Sequence, residues 1–174
     1  TLVLMVAGRG IAQLISNGQI ITVYYSPYYF IGNGYVLGLP FPLFIVALIY
    51  FLTWLLARRS AFGLFVESVG INARSSFLSG ISAKNIQLIV YTISGFCAGV
   101  AGIIYSANVK SADANNAGLN LELDAILAVV IGGTLMSGGR FSLPASLIGA
   151  LVIQSTTTTM YALGVPAMAA STIK

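Results

Sequence analysis

The sequence predicts an all-α fold, a polytopic bundle of transmembrane helices that forms part of a larger membrane protein. Three observations predict it. The 174 residues are 57% hydrophobic and only 7% charged, where a soluble domain carries about 25% charged residues. Mean hydropathy is +0.94. The apolar runs, such as Leu43 to Ala57 and Ile86 to Val109, are continuous. Strands of a membrane barrel would instead alternate over segments of about ten residues.

Composition also excludes several chemistries. There is no His and one Cys, Cys97, so a zinc ligand set, His-based acid–base catalysis and a disulfide framework are ruled out or nearly so. The net charge of +4 is spread over the loops, where the positive-inside rule places it, and gives no reason to expect nucleic acid. The chain starts at Thr1 in helical composition and ends at Lys174 in what reads as the start of another span. It is therefore read as a fragment.

Residues 2 to 16 (LVLMVAGRGIAQLIS) make a first helix, short for a span of about 20 residues. Arg9 lies inside it. It either snorkels or pairs with a neighbour, or it marks a functional site, because charge at membrane depth is costly. Residues 17 to 42 read as a loop with turn signals at Asn17-Gly18, Ser26-Pro27, Gly32-Asn33-Gly34 and Pro40/Pro42. Its aromatics, Tyr24, Tyr25, Tyr28, Tyr29, Phe30 and Tyr35, form an interfacial belt or a docking surface. It has no Lys or Arg, which places it on the outer face.

Leu43 to Ala57 is the next span, opened by Pro42 in its first turn, where a missing N–H costs nothing. Arg58 and Arg59 stop it. The stretch 58–84 then carries Arg58, Arg59, Arg74 and Lys84 against Glu67 alone, and is a cytoplasmic loop. It is too patterned for a simple connector. Phe62, Leu64, Phe65, Val66, Val69 and Ile71 line its first half, and Phe77, Leu78 and Ile81 its second, which predicts one or two short surface helices that meet a partner. The span from Ile86 to Val109 follows, with a small-residue face at Gly95, Gly99 and Gly102 that suits close helix packing.

Residues 108 to 124 form a second outer loop, in which Asp113, Glu122 and Asp124 outnumber Lys110. Glu122 and Asp124, two apart, do not share a helix face. Asp124 is read as the N-cap of the next helix. Ala125 to Met136 is apolar but short, either a half-helix or a crossing finished through irregular backbone at the Gly132-Gly133 and Gly138-Gly139 pairs. Arg140 puts that end on the cytoplasmic side. Leu143 to about Leu163 crosses outward, with a polar run (Gln154, Ser155, Thr156 to Thr159) that hydrogen-bonds across helices or lines a translocation path. Gln154, Thr156 and Thr157 are the path candidates. Gly164-Val165-Pro166 is an outer turn, and another helix begins near Ala167.

The run VGINARSSFLSGI (Val69 to Ile81), followed by LDAILAVVIGGTLMSGGR (Leu123 to Arg140), resembles the permease subunits of ribose-type sugar ABC importers. The early TLVLMVAGRGIAQLISNGQ is similar to that family as well, so the resemblance covers nearly the whole chain as one partial permease domain, 1–174. Ser111 to Gly133 is most similar to the galactofuranose-importing branch. The resemblance implies a bacterial inner-membrane, multi-pass subunit that moves a sugar, galactofuranose or a related monosaccharide. It implies partners: a second permease subunit, as a homo- or heterodimer, a periplasmic sugar-binding protein, and an ABC ATP-binding subunit that grips a cytoplasmic coupling helix. The positions matching that element are Gly70, Asn72, Ser79, Gly80 and Ile81. The chain departs from the family at Arg74, Ser75 and Ser76, where Glu and two Ala are common. No cofactor is expected on this chain. ATP and Mg belong to the partner, since the sequence has no Walker A lysine loop. The chain itself is not read as an enzyme.

Three rivals are weaker. A purely structural membrane subunit would give no reason for so patterned a cytoplasmic loop. A secondary transporter or channel for a small polar solute would want carboxylates within the spans, and Glu67, Asp113, Glu122 and Asp124 all fall in or beside loops. An intramembrane enzyme would want a motif such as HExxH or GxSxG, and neither occurs.

Overall fold

The computed structural model describes residues 2–36, 38–119, 121–134 and 138–164. The turn expected at 164–166 beyond Gly164, and the helix expected from Ala167, lie outside the described residues, as do 135–137. Among the described residues the architecture is all-α. The helices are α1 (Leu2–Ser16), α2 (Ser26–Asn33), α3 (Phe41–Arg59), α4 (Ala61–Ile71), α5 (Ala73–Leu78), α6 (Ala83–Val109), α7 (Leu121–Ile131) and α8 (Leu143–Ala162). Four two-residue strands decorate the loops. They are β1 (Ile21–Thr22), β2 (Tyr35–Val36), β3 (Leu39–Pro40) and β4 (Ser111–Ala112). They form two antiparallel pairs, with Ile21 opposite Ala112 and Tyr35 opposite Pro40.

Among the described residues two helices, α3 and α6, are long and apolar enough to cross a membrane. At 1.5 Å per residue, their 19 and 27 residues give lengths of about 28 and 40 Å, against a hydrocarbon core of about 30 Å. Along α3 the side chains of Leu43, Val46, Leu48, Phe51 and Leu52 are all exposed. A helix apolar all round needs a nonpolar medium or partner on every side. Among the described residues the buried hydrophobics are only Val69, Ala107 and Ala128, so no soluble-type core holds the chain together. The expected first span, α1, has 15 residues. The expected last span, α8, has 20 residues, and its Gln-Ser-Thr run makes it more polar than α3 and α6.

The described residues divide into two compact units. One comprises those of Thr1–Arg59 and Gln87–Leu119, the other those of Ser60–Ile86 and Asn120–Lys174. In the first unit, α2 is a correction to the loop expected over 17–42. Ser26-Pro27 reads as a turn signal in sequence, but Pro27 lies in the first turn of α2, where its fixed φ and missing N–H favour a helix start. Gly32 of α2 sits directly on the backbone of Ala107 and Asn108, at the end of α6. Asn33 Nδ2 donates to the carbonyls of Ala107 (3.5 Å) and Asn108 (3.2 Å), which helix geometry leaves without intrahelical partners. Tyr28 and Ser106 share a short hydroxyl–hydroxyl hydrogen bond. The Lys110 ammonium lies 4.2 Å from the Tyr29 ring centroid, a cation–π contact.

The second unit contains α4, α5 and the α7–α8 hairpin. The hairpin closes at glycines. A Cβ on Gly132 would fall 2.7 Å from the Ala145 carbonyl carbon, and one on Gly149 would strike the Ala128 carbonyl oxygen. Helix α7 has 11 residues, about 16 Å of rise, which is about half the thickness of a hydrocarbon core. Asp124 is a second correction. It stands in the first turn of α7, with Glu122, rather than at the N-cap, because the helix starts at Leu121. Negative charge in that turn faces the positive end of the helix dipole.

Candidate functional site

The segment from Ser60 to Ser82 is built by its caps. Ser60 opens α4 by accepting a hydrogen bond from the Phe62 N–H at 3.3 Å. Asn72 both closes α4 and opens α5. Its own N–H donates to the Ser68 carbonyl at 3.1 Å, while its Oδ1 accepts from the N–H groups of Arg74 (3.0 Å) and Ser75 (3.1 Å). Its backbone is extended, with φ −157°, so the chain turns there. The Asn72 carbonyl accepts from the N–H and the hydroxyl of Ser76, each at 3.0 Å, and Ser76 is buried.

Helix α5 ends in a Schellman cap. The Gly80 N–H donates to the Phe77 carbonyl and the Ile81 N–H to the Ser76 carbonyl, both at 3.0 Å. Gly80 has φ +83°, the left-handed conformation this cap needs and that glycine adopts without Cβ strain. Ser79, Gly80 and Ile81 are thus the last, first-beyond and second-beyond positions of one cap.

The structure therefore brings four of the five sequence-predicted coupling residues to the two ends of one short helix, Asn72 at its start and Ser79, Gly80 and Ile81 at its finish. The fifth, Gly70, lies at the end of α4. These five shape the segment. The side chains it displays are others: Leu78 is 83% exposed, Ile71 71% and Phe77 69%. Sequence reading saw Phe77 and Leu78 as lining of the loop and did not single them out. Their signal was present, two adjacent apolar residues just before Ser-Gly, but which way they face depends on where the cap starts the helix.

A contact that sequence reading missed lies behind this segment. Gly138 and Gly139 run against the backbone of Gly70. A Cβ on Gly70 would lie 3.0 Å from the Gly139 nitrogen, and one on Gly138 would strike the Gly70 carbonyl oxygen. The two stretches 69–81 and 123–140 thus meet, backbone to backbone.

The path candidates lie on α8. Thr157 is buried, while Gln154 and Thr156 are exposed. The hydroxyls of Thr156 and Thr157 donate to the Val152 and Ile153 carbonyls, both at 2.8 Å, and Thr158 and Thr159 repeat this pattern. The hydroxyl run is thereby tolerable in a nonpolar setting. At about 100° per residue, Gln154 and Thr157 lie about 60° apart around the helix, whereas Thr156 lies about 160° from Gln154. The structure does not bring the three onto one face. Arg9 is half-buried.

In the loop 110–119, the Asn115 N–H donates to the Asp113 carboxylate at 2.8 Å and the Asn116 amide at 2.9 Å. These bonds, the backbone one first, hold the Asp113 carboxyl below its ordinary pKa. Asn115 also bonds Gln13 (2.7 Å) and the Gly18 carbonyl (3.3 Å). Among the described residues no group of three or more His, Cys, Asp or Glu gathers as a metal site.

Comparison with known proteins gives the geometry a context. Residues 1–173 match the family described as branched-chain amino acid transport system / permease component. The galactofuranose transporter permease protein of Escherichia coli K12 is 52% identical over 166 residues, 95% of this chain and 49% of that protein. The fructose import permease protein of Bifidobacterium longum is 43% identical over 173 residues, 97% of this chain and 49% of that protein. The ribose import permease protein of Haemophilus influenzae is 38% identical over 157 residues, 88% of this chain and 48% of that protein. The chain spans about half the length of these curated relatives. No solved structure matches it.

Proposed function

Because the chain belongs to the family of branched-chain amino acid transport system permease components, we propose that it is part of the membrane-spanning subunit of an ATP-binding cassette importer that moves a sugar across the bacterial inner membrane. The observation that carries this reading is the 52% identity to a galactofuranose permease over 95% of the chain. The proposed substrate is accordingly galactofuranose or a closely related monosaccharide. The fructose and ribose relatives favour a sugar over the amino acid of the family's description. The chemistry agrees with a neutral solute, since α8 offers hydroxyls and an amide and no carboxylate.

In this reading α5 is the coupling helix, and an ATP-binding subunit receives Phe77 and Leu78 in an apolar pocket. Asn72 and the Ser79-Gly80-Ile81 cap hold the helix in shape, and Gly70 holds it in place. ATP and Mg act on the partner. Closure of the ATP subunits moves α5 and tilts the membrane helices, which opens the path alternately to each side. A second permease subunit completes the path, and Gln154 and Thr157, about 60° apart on α8, contribute polar groups to it, while Thr156, on the opposite side, hydrogen-bonds within the helix. A periplasmic binding protein docks on the aromatic loop, where Tyr24, Tyr25 and Tyr35 are exposed.

The test is capture of the full-length protein from solubilised membranes, with its partners identified by mass spectrometry. An ABC-type ATPase is expected with the parent protein and is lost with Leu78→Asp. Leu78 is 83% exposed, so the substitution is expected to leave fold and expression intact, which the yield and elution profile of the purified variant check. Recovery of no such ATPase with the parent, in several mild detergents, sinks the reading in favour of a secondary transporter.

A further inference from the structure

We propose that Gly70, Gly138 and Gly139 form a side-chain-free joint that fixes the α4–α5 segment to the loop leading into α8, so that displacement of α5 is delivered to the α7–α8 hairpin. The proposal rests on the coupling role given to α5 above.

The joint is backbone on backbone. Gly138 has φ +90° and Gly139 φ +108°, conformations closed to other L-residues except at a strain cost. A Cβ on Gly138 would overlap the Gly70 carbonyl oxygen, and one on Gly70 would lie 3.0 Å from the Gly139 nitrogen. Side chains change rotamer and absorb small displacements, whereas packed backbones shift together or separate. On one side of the joint, Gly70 stands two residues before Asn72, the cap that starts α5. On the other, Gly139 stands three residues before Ser142, the N-cap of α8. The far side is stiff too, because Gly132 and Gly149 bring α7 and α8 into direct backbone contact. The linkage is continuous: α5, Asn72, Gly70, Gly138–Gly139, Ser142, α8. Close approach also occurs at Gly132 and Gly149, but those contacts lie within the hairpin. Among the described residues, the contact of Gly70 with Gly138 and Gly139, flanked by Ile71 against Gly139, ties the loop before α8 to α4–α5.

The experiment compares three substitutions in the full-length protein, assembled with its ATPase in proteoliposomes. Gly138→Ala places a methyl against Gly70. Gly70→Ala is the milder probe, in helical backbone, and decides the matter if Gly138→Ala does not fold. Gly133→Ala is the control for backbone strain, since Gly133 has φ +77° but nothing within 4 Å of an added Cβ. The readouts are ATPase captured per permease, ATP hydrolysed, and uptake of labelled galactose, fructose or ribose, using whichever the parent transports. For Gly138→Ala, capture is expected to stay at the parental level while sugar moved per ATP falls by about tenfold, within the range of known coupling perturbations. Gly70→Ala falls in the same direction by less, and Gly133→Ala keeps the parental ratio. A parent that captures no ATPase overturns the importer reading beneath the proposal. A parent that transports, with Gly70→Ala and Gly138→Ala at its ratio, overturns the joint alone. So does an equal loss with Gly133→Ala, which would assign the effect to loop strain.

Discussion

Asn72 shows how one side chain decides a local fold. It is the junction between α4 and α5 and serves two helices at once, through its N–H to Ser68 and its Oδ1 to Arg74 and Ser75. Removing an N-cap costs about 1 kcal/mol, a large share for a helix of six residues. Asn72→Ala is therefore expected to fray α5 and weaken ATPase capture, while Asn72→Asp, which keeps the acceptor, restores it. Capture measured for both variants checks this, and equal loss with both would show that the cap is not what matters. Gly80 makes the complementary point. Its left-handed backbone means that a bulky substitution there distorts the cap itself, so Leu78 is the cleaner probe of docking. Asn72 was singled out by resemblance, and its sequence context, a cap residue before a short polar-apolar run, explains the choice in physical terms. The exposure of Leu78 needed the register of the helix.

At the scale of elements, glycine means different things in different helices. In α6, a Cβ on Gly95, Gly99 or Gly102 would meet nothing within 4 Å. In the α7–α8 hairpin, a Cβ on Gly149 would strike the Ala128 carbonyl. Gly99→Ala is expected to leave thermal stability in detergent unchanged or raise it, by up to about 1 kcal/mol of helix propensity. Gly149→Ala is expected to lower it by about 1–3 kcal/mol through overpacking. Thermal unfolding of the purified chain tests both, and a stable Gly149→Ala would mean the hairpin relaxes without cost. The GxxxG spacing in α6 reads as packing from sequence alone, whereas the glycines that pack closely here, 132 and 149, are 17 apart. Periodicity within one helix cannot report a contact between two. The same limit explains α2, where Ser26-Pro27 is a turn signal in sequence and a helix start in the structure. The residues that hold this helix in place, Ala107 and Asn108, lie more than seventy positions away.

For the whole molecule, charge asymmetry predicts an orientation with 58–84 on the cytoplasmic side. Residues 17–42 have no Lys or Arg, whereas 58–84 carries Arg58, Arg59, Arg74 and Lys84. In a Cys97→Ser background, Tyr25→Cys is expected to react with a membrane-impermeant maleimide in intact spheroplasts, and Ser75→Cys only in inverted vesicles. Both positions are exposed, so access depends on sidedness. The opposite pattern would invert the topology and remove α5 from reach of any cytoplasmic ATPase.

The amino-acid sequence by itself determined the membrane class, the positions of α3 and α6, the presence of short helical structure in 60–82 and the family. Hydropathy, charge placement and caps are local quantities, summed over neighbours in the chain. The tertiary structure alone decided that α2 caps the end of α6, that α7 and α8 close on glycine, and that Gly70 rests on Gly138 and Gly139. Those contacts pair backbone atoms from distant stretches, and a glycine without a side chain leaves no pattern in the sequence that says what it touches.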